Sequence, residues 1–290
     1  MDVCVITMQK DEKLLLKHFA AYYGDLFGYE NIFIIDNGSS WETKRVLADL
    51  TETGCNIMYD FDQPEDFSSK GAIIGKIASE LAQRYDAFIT LDCDEFIGVK
   101  VDLERPVYSC DRGDLLSELA KFQPNTGYKI LQRLRNDLKA PGRFYDIKAL
   151  SPKLVFGPGS IENLCVGLHS CTTPECIAST NLVFFEFHNK PFSDLQRSAF
   201  EKLKTRVDVD DRQKLSDYRG PGEHLPKYLI WSESEYHRSF DAVESFFSSA
   251  VDDAFAKLGL PPLYQEMVST SDEITELGSF NERDATEPSA

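Results

Sequence analysis

The sequence predicts an α/β fold in which a mostly parallel sheet is flanked by helices. Four short segments are apolar along nearly their whole length, and they lie at residues 3–8, 31–36, 55–59 and 87–91. Strands that are buried on both faces of a parallel sheet have this composition. Helical periodicity lies between them, as in Ile73, Ile77 and Leu81, which are spaced four residues apart. Strands that alternate with helices indicate parallel pairing through helical crossovers.

The pattern becomes less regular after Gly98. Further strands are predicted at residues 128–134, 154–156, 165–168 and 182–187, and helices at 115–122, 193–206 and 242–258. We therefore expect one domain over residues 1–206, followed by a helical C-terminal extension over 207–268. The last segment, 269–290, is acidic and low in apolar residues, so we expect a disordered tail there.

The charge balance of the chain excludes some classes of partner. The 290 residues include 31 Lys and Arg against 48 Asp and Glu, which gives a formal net charge of −17. This excess of acid disfavours general binding to nucleic acid and to anionic membrane surfaces. No apolar stretch reaches the roughly 18 residues that predict a transmembrane helix. The seven cysteines are expected to be reduced thiols, and a cytoplasmic location is predicted.

Two aspartates directly follow the fourth predicted strand. Asp92 and Asp94 are two positions apart, so their side chains point the same way. Two close carboxylates that are partly buried need a counter-ion. Mn²⁺ or Mg²⁺ supplies one and leaves coordination positions open for phosphate oxygens. The alternative is a solvated acidic turn, but the position at the end of a strand in a βα series favours the metal site.

Polar residues also follow the other predicted strands. Ligands of open α/β sheets bind outside the carboxyl ends of the strands, and this rule selects Thr7, Glu12, Asp36, Asn37 and Lys70. An acid such as Asp36 can bind a base or a ribose, and Lys70 can approach a diphosphate. The segment 39–42 (SSWE) predicts a capping box that opens the second helix. The alternatives are an ordinary turn before a capped helix and a structural lysine.

Two histidines are candidate metal ligands. His169 comes just after the predicted strand at 165–168, and His188 ends the apolar run at 182–187. A neutral imidazole is a good ligand for Mn²⁺ and a poor one for Mg²⁺. We favour His169 slightly, because the glycine before it leaves room for a side chain to turn toward a cleft. The alternative for each histidine is a structural role.

Three segments together resemble the glycosyltransferase family 2-like and family 92 group. Residues 5–12 (VITMQKDE) resemble its opening strand and K-N-E turn, and residues 33–40 (FIIDNGSS) resemble its Y-D-N-G-S-x-D segment. Residues 91–96 (LDCDEF) resemble its D-x-D-E-F motif. Later segments at 153–155, 167–169 and 188–193 resemble its K-x-I-V…V-H and H-Y-x-x-K-S regions. The sequence departs from the family at Asp11, Phe192 and residues 131–137, the last of which replace an aromatic, glycine-rich acceptor segment.

The resemblance implies a GT-A fold and a metal-dependent glycosyltransferase. Residues 1–100 would form the nucleotide-sugar-binding half and residues 101–206 the acceptor-side half. By this resemblance Asp36 contacts the nucleoside, Asp92 contacts its ribose or the metal, and Asp94 holds Mn²⁺ or Mg²⁺ against the donor diphosphate. His169 or His188 would complete the metal or diphosphate contacts. The implied partners are a nucleotide-diphosphate sugar donor and a glycan, polysaccharide or lipid-linked acceptor.

The general base and the class of function leave alternatives open. An inverting transfer needs a base to deprotonate the acceptor hydroxyl, and the candidates are Asp137, Asp146 and Glu162. A nucleotidyltransferase also combines a Rossmann-like sheet with acidic metal ligands. It would want a basic, glycine-rich loop after the first strand, but residues 8–13 contain no glycine. A non-catalytic nucleotide-sugar-binding protein would keep the same fold without turnover.

Overall fold

The computed structural model describes residues 1–147, 152–159, 161–174, 176–220 and 222–267. The strands within these ranges are β1 (Val3–Gln9), β2 (Ile32–Asp36), β3 (Asn56–Met58), β4 (Ala87–Thr90), β5 (Glu95–Asp102), β6 (Val107–Ser109), β7 (Thr126–Ile130), β8 (Gln132–Asn136), β9 (Arg143–Asp146), β10 (Lys153–Phe156), β11 (Cys176–Ser179), β12 (Leu182–Glu186) and β13 (Phe246–Phe247). The helices are α1 (Lys13–Phe27), α2 (Trp41–Glu52), α3 (Pro64–Ser68), α4 (Lys70–Glu80), α5 (Arg112–Leu119), α6 (Phe192–Leu203), α7 (Arg212–Asp217), α8 (Pro226–Ile230), α9 (Glu233–Arg238) and α10 (Ala250–Lys257).

The larger sheet contains seven strands in the order β11-β7-β10-β4-β1-β2-β3. Strands β1 to β4 run parallel to one another, and β10 is antiparallel to both β4 and β7. Parallel strands end at the same edge of a sheet, so β1, β2 and β4 share their carboxyl edge. Because β10 runs the opposite way, its first residue, Lys153, lies at that same edge. This single reversal brings a lysine to the place where the parallel strands end.

The smaller sheet contains six strands in the order β13-β9-β8-β12-β5-β6. The chain passes from the larger sheet to the smaller one between β4 and β5, β7 and β8, and β11 and β12, and it returns between β6 and β7 and between β9 and β10. The predicted α/β class is confirmed, as two sheets flanked by helices. Strands of both predicted halves, 1–100 and 101–206, take part in the larger sheet. The domain boundaries themselves stay a prediction.

Alternation along β1 explains how the larger sheet is buried. Val3 and Val5 face one core, which α1 and α2 help to cover. Ile6 and Met8 face a second core on the other side, which α4 covers. A strand that buries both faces reads as a continuous apolar run, and residues 3–8 have this pattern.

The C-terminal helices pack around a core of their own. Its buried residues come from α6, α7, α8 and α9 and the segments between them, and they are Phe192, Leu195, Ala199, Leu203, Leu215, Leu225, Tyr228, Tyr236 and Phe240. The side-chain hydroxyl of Tyr236 donates to the carbonyl of Lys190 at 2.9 Å, which anchors this layer to the end of β12. None of the described helices is long and apolar enough to cross a membrane. The predicted tail at 269–290 lies outside the described residues.

Several sequence-based expectations are corrected by the structure. The predicted strand at 128–134 breaks at Leu131, because β7 belongs to one sheet and β8 to the other. Residues 165–168 form a turn rather than a strand. The predicted helix at 242–258 is shorter and begins at Ala250, because Phe246 and Phe247 pair with β9 instead.

The predicted capping box at the start of α2 is absent. The N-cap residue is Ser40, and no side-chain hydroxyl caps the helix there. Asp11 supplies the missing acceptor from the preceding loop: its carboxylate accepts from the Ser40 N–H at 2.7 Å and from the Thr43 hydroxyl at 3.3 Å. The Ser39 hydroxyl instead accepts from the backbone N–H of Asp11 at 2.9 Å. The carboxylate that binds the start of α2 therefore comes from Asp11, in the loop after β1, and not from Glu42 of the helix itself.

Candidate active site at the junction of the two sheets

The acidic turn, residues 92–95, joins the two sheets. It starts just after β4 in the larger sheet and ends at Glu95, the first residue of β5 in the smaller one. The Glu95 N–H donates to the Asp92 carbonyl at 3.0 Å, and the Asp92 N–H donates to the Glu95 carboxylate at 2.8 Å. Ligand atoms of Asp92, Asp94 and Glu95 lie within 4.8 Å of one another. The turn therefore concentrates negative charge at the carboxyl edge of β4.

Two buried lysines neutralise Asp92. The Lys70 ammonium donates to Oδ1 at 2.6 Å, and the Lys153 ammonium donates to Oδ2 at 2.5 Å. Burial opposes ionisation of Asp92, but the two ammonium groups hold its pKa well below the usual range. The lysine residues are only 4% and 2% exposed. A cation or ribose that binds Asp92 must therefore share its oxygens with them.

The packing of α4 places Lys70. A Cβ added at Gly71 would lie 1.9 Å from the carbonyl oxygen of Leu164 and 2.4 Å from that of Cys165. The first turn of α4 thus touches the backbone of the 161–174 segment, and only glycine permits this approach. The contact holds Lys70 under the acidic turn.

Glu95 is a buried acid that shares Lys153 with Asp92. Its carboxylate is 3.1 Å from the Lys153 ammonium, and the residue is 1% exposed. Burial raises the pKa of Glu95 to about 8, with the negative charges of Asp92 and Asp94 adding to the effect. At neutral pH this carboxyl group favours its protonated form.

Asp94 has a different environment from Asp92. Burial, followed by the nearby charges of Glu186 and Asp92, raises the pKa of Asp94 to about 6. In the described part of the chain, its carboxylate makes no hydrogen bond and no ion pair shorter than 4 Å. Asp94 is thus a half-buried acid without a direct partner, between other acids.

Strand register brings Glu186 and His188 to Asp94. β12 pairs antiparallel with β5 so that Glu186 lies opposite Glu95. The Phe187 N–H donates to the Asp94 carbonyl at 2.8 Å, which continues this pairing past the end of the strand. Ligand atoms of Asp94, Glu186 and His188 lie within 4.8 Å of one another. These three residues are named the ligand triad below.

Glu186 is held as a carboxylate by two arginines from β8. Arg133 donates to both of its oxygens, and the Arg135 Nε–H donates to Oε2 at 2.8 Å. Burial alone would raise the pKa of Glu186, but the Arg133 hydrogen bonds and the Arg135 charge lower it to about 2. Glu186 is therefore ionised and fixed in orientation.

His188, not His169, lies beside Asp94. Burial and the neighbouring Arg135 charge lower the pKa of His188 to about 3, so its ring is neutral and able to act as a ligand. The His169 ring is directed elsewhere, with Nδ1 at 3.1 Å from the Pro152 carbonyl oxygen. His169 belongs to neither group of clustered metal-ligating atoms among the described residues. The slight preference for His169 is not supported.

The donor set of the ligand triad fits a divalent cation. Two carboxylates and a neutral imidazole suit Mn²⁺, which accepts both oxygen and nitrogen ligands. A cation would also supply the direct partner that Asp94 lacks, and it would offset the repulsion between Asp94 and Glu186. The second acidic group, on the turn itself, is already neutralised by Lys153 and Lys70. Glu186 of the ligand triad is likewise bound, by Arg133 and Arg135. The ligand triad is preferred because it includes Asp94, whose carboxylate has no direct partner among the described residues.

The residues predicted to contact the nucleoside are mostly turned into the protein. Asp36 is buried, and its oxygens accept from the Gln9 side chain at 2.7 Å and the Ser39 N–H at 3.3 Å. The Asn37 side chain donates to the carbonyls of Phe61 and Gln63 at 2.7 and 2.8 Å.

Thr7 and the nearby aromatics complete that side of the site. Thr7 is fully buried, and its hydroxyl has no hydrogen-bond partner among the described atoms, so it is not accessible to a ligand. The exposed ring of Tyr59 is close enough to Asp36 that the carboxylate helps to raise its pKa, after burial. An accessible aromatic ring therefore lies near the predicted nucleoside contact.

Glu12 connects the first strand to the end of β12. Its carboxylate receives the Lys190 ammonium at 2.8 and 3.0 Å. Burial would lower the pKa of Lys190, but the charges of Glu12 and Asp94 raise it. This lysine therefore carries a positive charge close to the ligand triad. The resembled H-Y-x-x-K-S segment has its lysine two positions later, where this chain has Phe192.

The three candidate bases lie apart from the clustered acids. Asp137 is buried, and its carboxylate accepts from the Lys139 N–H at 3.0 Å. Asp146 is exposed and accepts from the Gln132 side chain at 3.1 Å. Glu162 is exposed on a segment that forms a single bridge with Thr173. None of the three belongs to either group of ligand atoms found among the described residues.

Sequence reasoning missed Glu186, Arg133, Arg135 and Lys153 as site residues. One local signal was available for Glu186, because an acid at the end of the apolar run LVFFE precedes His188 by two positions. An acid-x-His pair at a strand end can place both side chains together. For Lys153 the resemblance of residues 153–155 to the K-x-I-V segment was a signal. The two arginines give none, since only strand pairing brings them to the site.

Comparison with known proteins finds only weak structural similarity. No protein-family model and no curated protein matches the chain. One of the solved structures similar to it is the crystal structure of S. aureus TarS, with 10% sequence identity and a TM-score of 0.35. The likeness covers 83% of this chain and 44% of TarS, so the chain spans less than half of that protein.

Proposed function

We propose that this protein is a metal-dependent glycosyltransferase. It would transfer a sugar from a nucleotide-diphosphate sugar to a hydroxyl group of a glycan, polysaccharide or lipid-linked acceptor. The observation that carries the proposal is the convergence of Asp94, Glu186 and His188 at the edge where the parallel strands end. Ligands of open α/β sheets bind at this edge, and the motif that supplies Asp94 is the one that resembles family 2-like and family 92 enzymes.

The ligand triad would hold the cation, and the surrounding charges prepare it. Bound there, Mn²⁺ or Mg²⁺ would stabilise the negative charge that develops on the departing nucleoside diphosphate. Arg133 and Arg135 keep Glu186 ionised, and burial keeps His188 neutral. Each ligand is thus in the protonation state that coordination requires.

Other residues would position the donor and the turn. Asp92 would act as a positioning residue, because its ion pairs with Lys70 and Lys153 fix the acidic turn. The exposed ring of Tyr59 would stack on a base, and Asn37 would hold the loop after Tyr59 through its bonds to the carbonyls of Phe61 and Gln63. Lys190 adds a positive charge where the donor diphosphate would lie.

A thermal-shift screen of nucleoside diphosphates and nucleotide sugars, with and without Mn²⁺, tests this proposal. A ligand that binds only the folded state adds about 2.7 kcal/mol to the free energy of unfolding when its concentration is a hundred times its Kd, and the unfolding midpoint therefore rises. We expect one base to give a shift that needs Mn²⁺, and Asp94→Asn to abolish it. Asp252→Asn is a matched control, since Asp252 is another half-buried acid with a pKa near 6, on α10. Absence of any shift would contradict the proposal.

Product analysis separates the alternative functions. A glycosyltransferase transfers the sugar of the bound nucleotide sugar to an acceptor hydroxyl, or slowly to water, and releases the nucleoside diphosphate. A nucleotidyltransferase instead uses a nucleoside triphosphate and releases pyrophosphate. If the nucleotide sugar binds but no nucleoside diphosphate is released with any acceptor tested, the protein is a non-catalytic binding protein. Chromatography of the nucleotide products distinguishes the three.

A further inference from the structure

A group of basic side chains lies next to the ligand triad on the side of the C-terminal helices. It consists of Arg135 on β8, Lys202 on α6, and His224 and Lys227 at the start of α8, and it is named the basic cluster here. The His224 ring centroid is 6.3 Å from that of His188. The cluster thus adjoins the site proposed above without forming part of the ligand triad.

The members of the basic cluster have few negative partners. Among the described residues, Lys202, His224 and Lys227 have no carboxylate within 4 Å, and the Lys227 ammonium lies over the rings of Tyr228 and Trp231 at 4.8 and 5.4 Å. Arg135 uses only its Nε–H, on Glu186, so its four other N–H donors have no protein partner in the described ranges. Its side chain is 19% exposed, which leaves those donors accessible.

Neighbouring positive charges lower the pKa values of two members of the cluster, His224 and Lys227. Burial lowers the pKa of His224, and the charges of Lys227, Lys202 and Arg135 lower it further. Burial and the Arg135 charge also lower the pKa of Lys227. In a chain with 17 more acids than bases, three cations and one neutral imidazole lie where Glu186, already bound by Arg133, is the one carboxylate in direct contact with them in the described structure. Like charges at short range cost free energy, and an anion bound between them would offset that cost.

We propose that the basic cluster binds an anionic group, a phosphate or a carboxylate, on the sugar acceptor. This inference rests on the proposed function, because it assigns the acceptor side of the same site. The cluster belongs to the smaller sheet and the C-terminal helices, whereas Tyr59, the proposed nucleoside contact, follows a strand of the larger sheet. The acidic turn and the ligand triad lie between them. The donor and the acidic acceptor would therefore approach the metal from opposite sheets.

Binding of small anionic sugars tests the proposal without requiring turnover. The probes are glucose 6-phosphate and glucuronate, with glucose as the neutral match, and the readout is saturation-transfer NMR. We expect at least one anionic sugar to bind and glucose not to bind. Lys227→Ala and Lys202→Ala should each weaken binding about tenfold, as expected for loss of one charge-assisted contact. Lys204→Ala is the matched control, because Lys204 lies two positions after Lys202 but pairs with Glu201 at 2.5 Å.

The donor diphosphate is the competing source of the same chemistry. The titration is repeated with saturating Mn²⁺ and pyrophosphate, which occupy the proposed donor site. Unchanged affinity for the anionic sugar supports a separate acceptor subsite. Competition by pyrophosphate, binding of neither anionic sugar, or full affinity in both lysine variants would overturn the proposal. Failure of the glycosyltransferase assay alone would leave this binding result unaffected, so the two proposals fail separately.

Discussion

Four carboxyl groups within one small region have four different electrostatic environments. Asp92 is ionised by two lysines, and Glu186 is ionised by two arginines. Glu95 is buried with a pKa raised to about 8, and Asp94 has a pKa raised to about 6 without a direct partner in the described residues. Separation of titratable groups by their surroundings is typical of functional sites. Asp94 is the member that this protein leaves available.

Replacement of Asp94 by asparagine should affect function and stability in opposite directions. Asp94→Asn removes one ligand, so we expect Mn²⁺ affinity to fall at least about tenfold, measured by the EPR signal of free Mn²⁺. It also removes a charge that burial and Glu186 disfavour, so the metal-free protein should gain on the order of 1 kcal/mol at pH 7. The stability is measured by urea unfolding.

The control for Asp94 distinguishes a ligand from any half-buried acid. Asp252→Asn removes a group of similar pKa on α10 and should leave Mn²⁺ affinity unchanged. Unaltered Mn²⁺ binding in Asp94→Asn, or equal loss in both variants, would refute the assignment of Asp94.

Part of the site could be predicted at the residue scale. Asp92 and Asp94 were found from the sequence because they follow an apolar strand directly. The sequence did not predict that lysines bind Asp92 while Asp94 has no direct partner among the described residues. Lys153 reaches the turn only because β10 pairs antiparallel with β4. Glu186 depends likewise on the register of β12 with β5. Local pattern identifies residues at strand ends, and tertiary pairing decides what surrounds them.

At the scale of elements, the close packing of α4 supports the site. Gly71→Ala would place a Cβ 1.9 Å from the Leu164 carbonyl oxygen, so either the helix or the 161–174 segment must move. We expect a loss of about 1–3 kcal/mol in the free energy of unfolding, the usual range for overpacking. Displacement of Lys70 from Asp92 should also weaken nucleotide binding.

A second glycine serves as the control for α4. A Cβ at Gly113 on α5 would meet only the Asp111 carboxylate, at 3.1 Å. Gly113→Ala should therefore leave stability unchanged or slightly raised, because alanine favours the helix. If Gly71→Ala were as stable as Gly113→Ala by urea unfolding, the close approach would be wrong.

The first turn of α10 predicts a pH dependence of stability. Burial and the charge of Asp253 raise the pKa of Asp252 from 3.8 to about 6. The native state therefore binds more protons than the unfolded state between about pH 4 and 6, and this contribution to stability falls as pH rises through that window. Asp252→Asn should gain about 1 kcal/mol over wild type at pH 7 and nothing at pH 4, measured by urea unfolding. An equal difference at both pH values would contradict this pKa.

The elements show where sequence patterns stop being sufficient. β1, β2, β3 and β4 were predicted within two residues at each end, because each is a separate apolar run. The run at 128–134 was predicted as one strand, although β7 and β8 belong to different sheets. Nothing in the periodicity marks Leu131 as the crossing point. Which sheet a strand joins is decided by tertiary contacts, so the local sequence pattern of residues 128–134 does not predict it.

At the scale of the whole molecule, the Glu12–Lys190 ion pair links β1 to the segment before α6. Its nitrogen–oxygen distance is 2.8 Å, with side chains 31% and 22% exposed. A double-mutant cycle with Glu12→Gln and Lys190→Met should give a coupling energy of about 1 kcal/mol in urea unfolding. The exposed Lys76–Glu80 pair at 3.9 Å is the control, and its coupling should be no more than about 0.5 kcal/mol. Equal coupling energies in both cycles would show that the Glu12–Lys190 pair stabilises the fold no more than an exposed surface pair does.

The central claim is that the ligand triad binds the cation of a nucleotide-sugar site. Anomalous diffraction at the manganese edge, from crystals grown with Mn²⁺ and the nucleoside diphosphate that the screen selects, tests it most directly. We predict one anomalous peak, about 2.0–2.3 Å from ligand atoms of Asp94, Glu186 and His188, with a phosphate oxygen as a further ligand. A peak held by Asp92 and Glu95 instead, or no peak at the junction of the sheets, would contradict the account.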